Sequence, residues 1–355
     1  MINSQLPHNQ LKPLNELKIL SLSELHGISE SCWKSIYHLN GYVDAQFNNG
    51  ILNFFQLIEL VDSKYSFDLE GVSISVQRLL EAYSSENNLN EKNAKIIFKS
   101  IEWKDEIESL SVNNLAPEFL HLTKRQFEMF RDKKEVRIQS YFTNLCLYTT
   151  PNNPSLIQYL RLDLDKALKQ LKKTSSLQGL ALIHYQFRAL APYLQMNGHC
   201  ARILTKLFFR ELGILYNCIP ISFILFKEKE TYNLLLREVM INQSFEKWMA
   251  FIIQKLEEAV VLLLETTKLY VQLRKKFKDQ LEKYTDYILP ANELLDVLFY
   301  KPYIKPKMIC EAIGCHRQTA YTYLDHLVKM GLLLEKSSGR EKLYLNKEFA
   351  DLLNL

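Results

Sequence analysis

Glycine and proline are scarce, with 10 of each in 355 residues, too few for a chain assembled from short strands and tight turns. A long apolar run is missing too. Ala259 to Leu264 is the longest stretch without a polar residue, far short of the roughly 20 residues that cross a bilayer, so no membrane partner is expected. The first residues, MINSQLPHNQ, have no basic segment followed by an apolar one, which predicts no secretory signal and a cytoplasmic setting. Cys32, Cys146, Cys200, Cys218, Cys310 and Cys315 are scattered without paired CxxC units, the pattern of reduced thiols rather than of a disulfide frame or a zinc cage. Cys310, Cys315 and His316 lie together, yet no fourth ligand follows at zinc spacing, and no metal is assigned. Charge of one sign is also lacking: the formal net value is +4, so a polyanion partner would have to be recognised locally.

What remains is a composition of 47% apolar and 24% charged residues, which belongs to folded rather than disordered chains. The length calls for two or three modules. Apolar residues recur at intervals of three and four, so the fold class is mainly α. A helix is expected to begin near Glu70 and run through Val72, Val76, Leu79 and Leu80. Arg137 to Leu156 alternates like strand, and a short hairpin is expected there, with its turn at Pro151 to Pro154. Helices are predicted over Leu162 to Lys172 and Leu177 to Leu190, the second apolar enough to be the buried central helix. Phe245 to Tyr284 reads as long packed helix; its basic cluster Arg274, Lys275, Lys276 and Lys278 lies among acids and is taken as a solvated face. A hinge is placed at Tyr287 to Ala291, around Pro290.

The stretch Ala181 to Leu204, ALIHYQFRALAPYLQMNGHCARIL, joins two helices through a polar loop. A helix N-terminus entered from such a loop offers backbone N–H groups and a positive dipole end to an anion. This segment resembles the defining one of the Fic (filamentation induced by cAMP) family, HPFxxGNGRxxR, read here from Ala191 to Arg202. The resemblance implies a Fic-type helical core with a small β-hairpin flap near Phe142 to Pro154, an N-terminal helical domain and a C-terminal winged helix-turn-helix. It implies transfer of AMP from ATP to a protein hydroxyl, with the motif His as general base, an acid holding Mg²⁺ and two arginines on phosphate. Four positions depart from that chemistry. Ala191 has no proton acceptor where a base typically contributes about 10²–10⁴-fold. Gln195 offers a neutral amide where a hard cation prefers a carboxylate, so Mg²⁺ should be weak or absent. Met196 replaces a glycine where backbone approaches phosphate and adopts φ > 0. His199 replaces the first arginine with at most a partial charge. Asn197, Gly198 and Arg202 are kept. A pseudoenzyme follows, with Gln195, Met196, Asn197, Gly198, His199 and Arg202 as a degenerate nucleotide loop for ATP. The alternative is an active AMP transferase using His199 as base; His184 lies two turns away from Ala191 and reads as structural.

Ser66, Phe67, Asp68, Leu69, Glu70, Gly71 is similar to the family's inhibitory motif (S/T)xxxE(G/N), carried on a helix before the core, with Ser66, Glu70 and Gly71 as its fixed positions; the resemblance implies a Glu70 to Arg202 ion pair. The plain reading is that Glu70 is a first-turn acid favoured by the helix dipole.

From Ala291 the pattern reads helix, helix, turn, helix, strand pair, resembling a winged helix-turn-helix. Gly314 makes the turn, Arg317 to Lys329 forms the second helix, closed by Gly331, and Leu332 to Leu345 forms the wing with its tip at Ser337 to Arg340. Arg317, Gln318, Tyr321 and Arg340 would contact DNA. Basic and acidic residues nearly balance there, so a protein-docking or homodimerising role competes with a DNA-binding regulator. The expected domains are 1–100, 101–286 and 291–355.

Overall fold

The computed structural model describes residues 11–16, 23–46, 50–85, 92–108, 137–139, 146–174, 176–193, 195–211, 218–242, 245–284, 289–338 and 341–355. The described residues are mainly helical, with two small antiparallel sheets. None of the described helices is long and apolar enough to cross a membrane. The chain divides into two compact units, each drawn from three stretches: residues 1–40, 62–73 and 97–261 form one, and residues 41–61, 74–96 and 262–355 the other.

In chain order the helices are α1 (Ser23–Ala45), α2 (Ile51–Asp68), α3 (Val76–Ser85), α4 (Lys92–Glu108), α5 (Pro154–Thr174) and α6 (Leu177–Leu190); α5 and α6 lie wholly in the first unit and α3 in the second. Twelve residues of α6 are buried, from Leu177 to Leu190 with Gln178 and Gly179 excepted, as its apolar run predicts. Ser176 caps its N-terminus, its hydroxyl accepting from Gly179 N–H at 3.1 Å. α7 (Asn197–Glu211) follows, then α8 (Ile221–Lys227), α9 (Lys229–Asn242) and α10 (Phe245–Lys283). Trp248 of α10 is fully buried and donates from Nε1 to the Ala181 carbonyl at 2.8 Å, so its indole nitrogen is satisfied inside the core.

Two local expectations give way. The hairpin forms from β1 (Arg137–Gln139) and β2 (Cys146–Thr149), and Pro151 to Pro154 is not its turn. Asn153 instead accepts from the N–H groups of Ser155 and Leu156, 3.0 and 3.3 Å away, and Pro154 opens α5. An Asn N-cap followed by Pro at the first helical position is a helix start, which places it eight residues ahead of Leu162. The helix expected to begin near Glu70 is absent too. α2 ends at Asp68, Gly71 takes φ 81°, and the bonds Val72 N–H to Phe67 O (3.0 Å) and Gly71 N–H to Asp68 O (3.0 Å) close a Schellman turn. Glu70 therefore lies past a helix C-terminus, where the dipole disfavours an anion.

In the second unit, Phe54 of α2 stacks on Tyr270 of α10 with centroids 4.3 Å apart, and Phe299 packs against Tyr270, Phe277 and Phe349. α11 (Ala291–Leu298), α12 (Pro306–Ile313), α13 (Arg317–Lys329), β4 (Leu334–Ser338) and β5 (Glu341–Leu345) give the winged-helix pattern, completed by β3 (Tyr303–Ile304) and α14 (Lys347–Leu352). The sheet order is β3-β5-β4, and Gly314 closes α12 at φ 71°. Asn53 donates to the carbonyls of Phe299 and Tyr300 at 2.9 and 2.8 Å.

Candidate functional site

The loop between α6 and α7 is held by its own side chains. Asn197 accepts from Tyr193 N–H at 3.0 Å and donates to Tyr193 O at 2.8 Å, a reciprocal clamp across the turn. Ala191 (φ 42°) and Met196 (φ 62°) bracket it, the two non-glycine residues with positive φ among the described residues. Side chains in that region cost roughly 1–2 kcal/mol each. Met196 takes the positive φ expected at this position and does so without glycine's freedom. Ala191 is buried, with its N–H bonded to Phe187 O at 3.0 Å, and its methyl group can accept no proton. Gln195 is exposed and Met196 half-buried.

Glu70 reaches the start of α7. Its Oε1 accepts from Nη2 of Arg202 at 2.9 Å and faces Nη1 of Arg188 at 3.4 Å. A β-carbon on Gly198 would overlap both Oε1 of Glu70 and Nη1 of Arg188, so any side chain there would displace the carboxylate and the guanidinium that meet above its Cα. The Glu70 to Arg202 pair expected from the sequence is present, and the plain reading of Glu70 as a helix-opening acid fails because α2 ends two residues before it. Arg202 is 1% exposed, Arg188 7% and Glu70 8%, so the group is out of solvent and its Coulombic terms are little screened. Arg202 also ties down the end of α2: Nε donates to Ser66 Oγ at 2.8 Å and Nη2 to Ser66 O at 2.7 Å. A cation there answers a carbonyl that lacks a helical partner.

His199 departs furthest from expectation. It is 1% exposed, with Nδ1 2.8 Å from Ser66 Oγ, Nε2 2.7 Å from Ser100 Oγ and its ring 4.2 Å from that of Phe67. Each ring nitrogen thus faces a serine hydroxyl, Ser66 on the Nδ1 side and Ser100 on the Nε2 side, and the two hydroxyls can serve either neutral tautomer. Burial, then the charges of Arg202 and Lys206, hold the imidazolium form well below its usual pKa. His199 is therefore held toward its neutral form, with both ring nitrogens facing serine hydroxyls. His184 is likewise buried, between Thr205 Oγ1 (2.9 Å) and Tyr232 Oη (2.8 Å), and burial with Arg202 and Arg188 depresses it too. It is structural, as its distance from Ala191 implies.

Three participants were not singled out from the sequence. Arg188 sits inside the apolar helix α6, and Ser100 carries no motif. Lys206 pairs with the fully buried Asp62 at 2.5 Å, and Asp62 Oδ1 also accepts from Phe223 N–H at 2.8 Å. A signal existed for Arg188, since a lone arginine in a buried apolar run needs an anion.

In the C-terminal region Arg317 and Gln318 are exposed and Tyr321 half-exposed, with Arg317 donating to Tyr321 Oη at 3.2 Å. Arg340, at the wing tip, lies outside the described residues. The basic face of α10 is largely paired: Arg274 to Asp296, Lys276 to Glu348 at 2.6 Å, Lys278 to Glu282 at 3.7 Å.

Residues 270–349 match the family described as "Protein adenylyltransferase SoFic-like, C-terminal domain". The crystal structure of a Fic family protein from Desulfovibrio desulfuricans G20 matches with a TM-score of 0.58, covering 90% of this chain and 95% of that one at 14% identity. The chain has the Fic fold. Both findings support the Fic assignment carried by the loop from Ala191 to Arg202. Within that fold, a magnesium-bound nucleotide does not fit the residues present: Glu70 fills the space over Gly198, and Gln195 supplies an amide where a hard divalent cation requires anionic oxygen.

Proposed function

We propose that this Fic-fold chain is a non-catalytic relative of the protein adenylyltransferases, a regulator or scaffold in which a closed anion pocket accompanies a winged-helix binding module. The observation that carries the reading is the pair formed by a buried methyl group at position 191 and a loop imidazole at 199 whose two nitrogens are both engaged by serines. Without a proton acceptor the target hydroxyl stays protonated, and nucleophilic attack at phosphorus loses its first step. Gln195 and Glu70 act in the same direction, against metal and against the phosphates.

The test is incubation of purified protein with labelled ATP and Mg²⁺, for the wild type and for Glu70→Gly. Both should stay unlabelled. Robust self-labelling that disappears on His199→Ala would replace this reading with that of an active transferase using a substituted base.

For the winged helix, exposure of Arg317 and Gln318 in the first turn of α13 favours DNA over a protein partner, because that turn is the part of a recognition helix that reaches base edges. Wild-type protein should retard duplex DNA in a gel at low salt. Binding should weaken steeply with added salt and on Arg317→Ala; no retardation at low salt would transfer the module to protein docking.

A further inference from the structure

We infer that Cys310 and Cys315 are a reversible redox pair, closing to a disulfide across the turn of the helix-turn-helix when a small disulfide such as oxidised glutathione is present. The site lies far along the sequence from the Fic loop, and it holds whatever partner α13 binds.

The turn itself brings the two side chains together. Gly314 takes φ 71° and ψ 32°, and its N–H bonds to the Cys310 carbonyl at 2.9 Å, a left-handed helix ending. In such endings the residue after the glycine commonly packs on the one whose carbonyl is bonded, as an apolar contact. Here those two positions are both cysteines, and their thiols are in hydrogen-bonding contact. Both are reduced and half-buried. A β-carbon on Gly314 would meet nothing within 4 Å, so the turn is open to a small oxidant. Cys32, Cys200 and Cys218 are buried instead, the setting in which a thiol is inert. Burial, then the neighbouring Cys310, push the Cys315 thiol above its usual pKa, which makes Cys310 the attacking group. Its thiolate attacks one sulfur of the small disulfide, forming a mixed disulfide and expelling the first small thiol. Cys315 then gives up its proton and attacks the Cys310 sulfur, forming the S–S bond within the chain and expelling the second. Two electrons pass from the cysteines to the oxidant, and the two protons they lose end on the two released thiols. Arg317 lies two residues beyond Cys315, so closure fixes the turn from which α13 departs.

The experiment equilibrates the purified full chain with mixtures of reduced and oxidised glutathione, quenches in acid, alkylates and digests with trypsin. Cleavage after Lys307 and Arg317 releases Met308 to Arg317, MICEAIGCHR, which carries both cysteines and no others. In a mixture rich in the oxidised form this peptide should emerge unalkylated and two hydrogens lighter. Dithiothreitol before alkylation should restore both labels. Cys310→Ser and Cys315→Ser should each instead retain one glutathione, because neither has a second thiol to expel it. Since the fold holds the thiols in contact, the bridge should close in the protein with an equilibrium constant at least about tenfold above that of the free peptide. The wild-type measurements decide the matter even where a serine variant fails to fold. A peptide from the wild type that stays doubly alkylated, that retains glutathione, or that closes no more readily in the protein than when free would overturn the inference.

Discussion

Arg202→Met should lower the stability of the fold by about 3–5 kcal/mol, the range for removing one partner of a buried charge pair, read as a fall in the urea midpoint at constant m-value. The size follows from what one side chain holds. Its guanidinium contacts the carboxylate of Glu70, the hydroxyl of Ser66 and the Ser66 carbonyl at the end of α2. Methionine fills much of the volume and returns none of these bonds, leaving Glu70 with Arg188 at 3.4 Å. Glu70→Gln/Arg202→Met should then be clearly less destabilised than the sum of the two single variants, because the stranded charge is gone. Strict additivity would mean that the pair is not energetically coupled and that α2 is held by apolar packing alone.

Stability should also fall steeply as pH drops below about 6.5. The two buried histidines, His184 and His199, have folded-state pKa values well below the ordinary 6.5, principally through burial and then through Arg202. Below 6.5 the unfolded chain takes up protons at both sites while the folded chain does not, so the unfolded state binds more protons and stability rises with pH. The contribution is fully present above 6.5 and is lost as pH falls toward the folded-state values. Each site adds at most about 1.4 kcal/mol per pH unit below the unfolded-state pKa, so the two together double the slope that one alone would give. Urea titrations at intervals across that window measure it. His199→Gln should reduce the slope by about half, and a wild-type curve flat from pH 7.5 to 5 would show that the imidazoles are solvated.

Period and punctuation made the long elements legible in the sequence. Leu177–Leu190 and Arg317–Lys329 are helices with the bounds that their apolar spacing and flanking residues imply. The errors arose where one signal concealed another. Val72, Val76, Leu79 and Leu80 fall at helical spacing, but Gly71 ends α2 with a left-handed turn, and the next helix begins only at Val76. Pro151 to Pro154 has hairpin-turn composition, yet Asn153 caps α5. The loop from Ala191 to Arg202 could be placed from its own residues, including the positive φ at Met196. Of what it touches, Glu70 and Ser66 were marked by their own motif, whereas Arg188, Ser100 and Lys206 were not, since no local pattern records which side chains meet across a core. The neutral state of His199 depends on that environment and so was hidden from the sequence as well.

The interleaving of the chain has a consequence for how the molecule comes to be folded. Since neither unit is a continuous stretch, no single cut of the polypeptide releases a finished domain; a fragment from residue 291 onward would lack Asn53, whose amide binds the Phe299 and Tyr300 carbonyls. Segments made early in synthesis must wait for partners made last, and closing such distant loops precedes the reward of burying them. A ribosome-bound chain would therefore carry apolar faces of its first helices uncovered until the terminal residues emerge, an interval in which a holding chaperone has surface to bind.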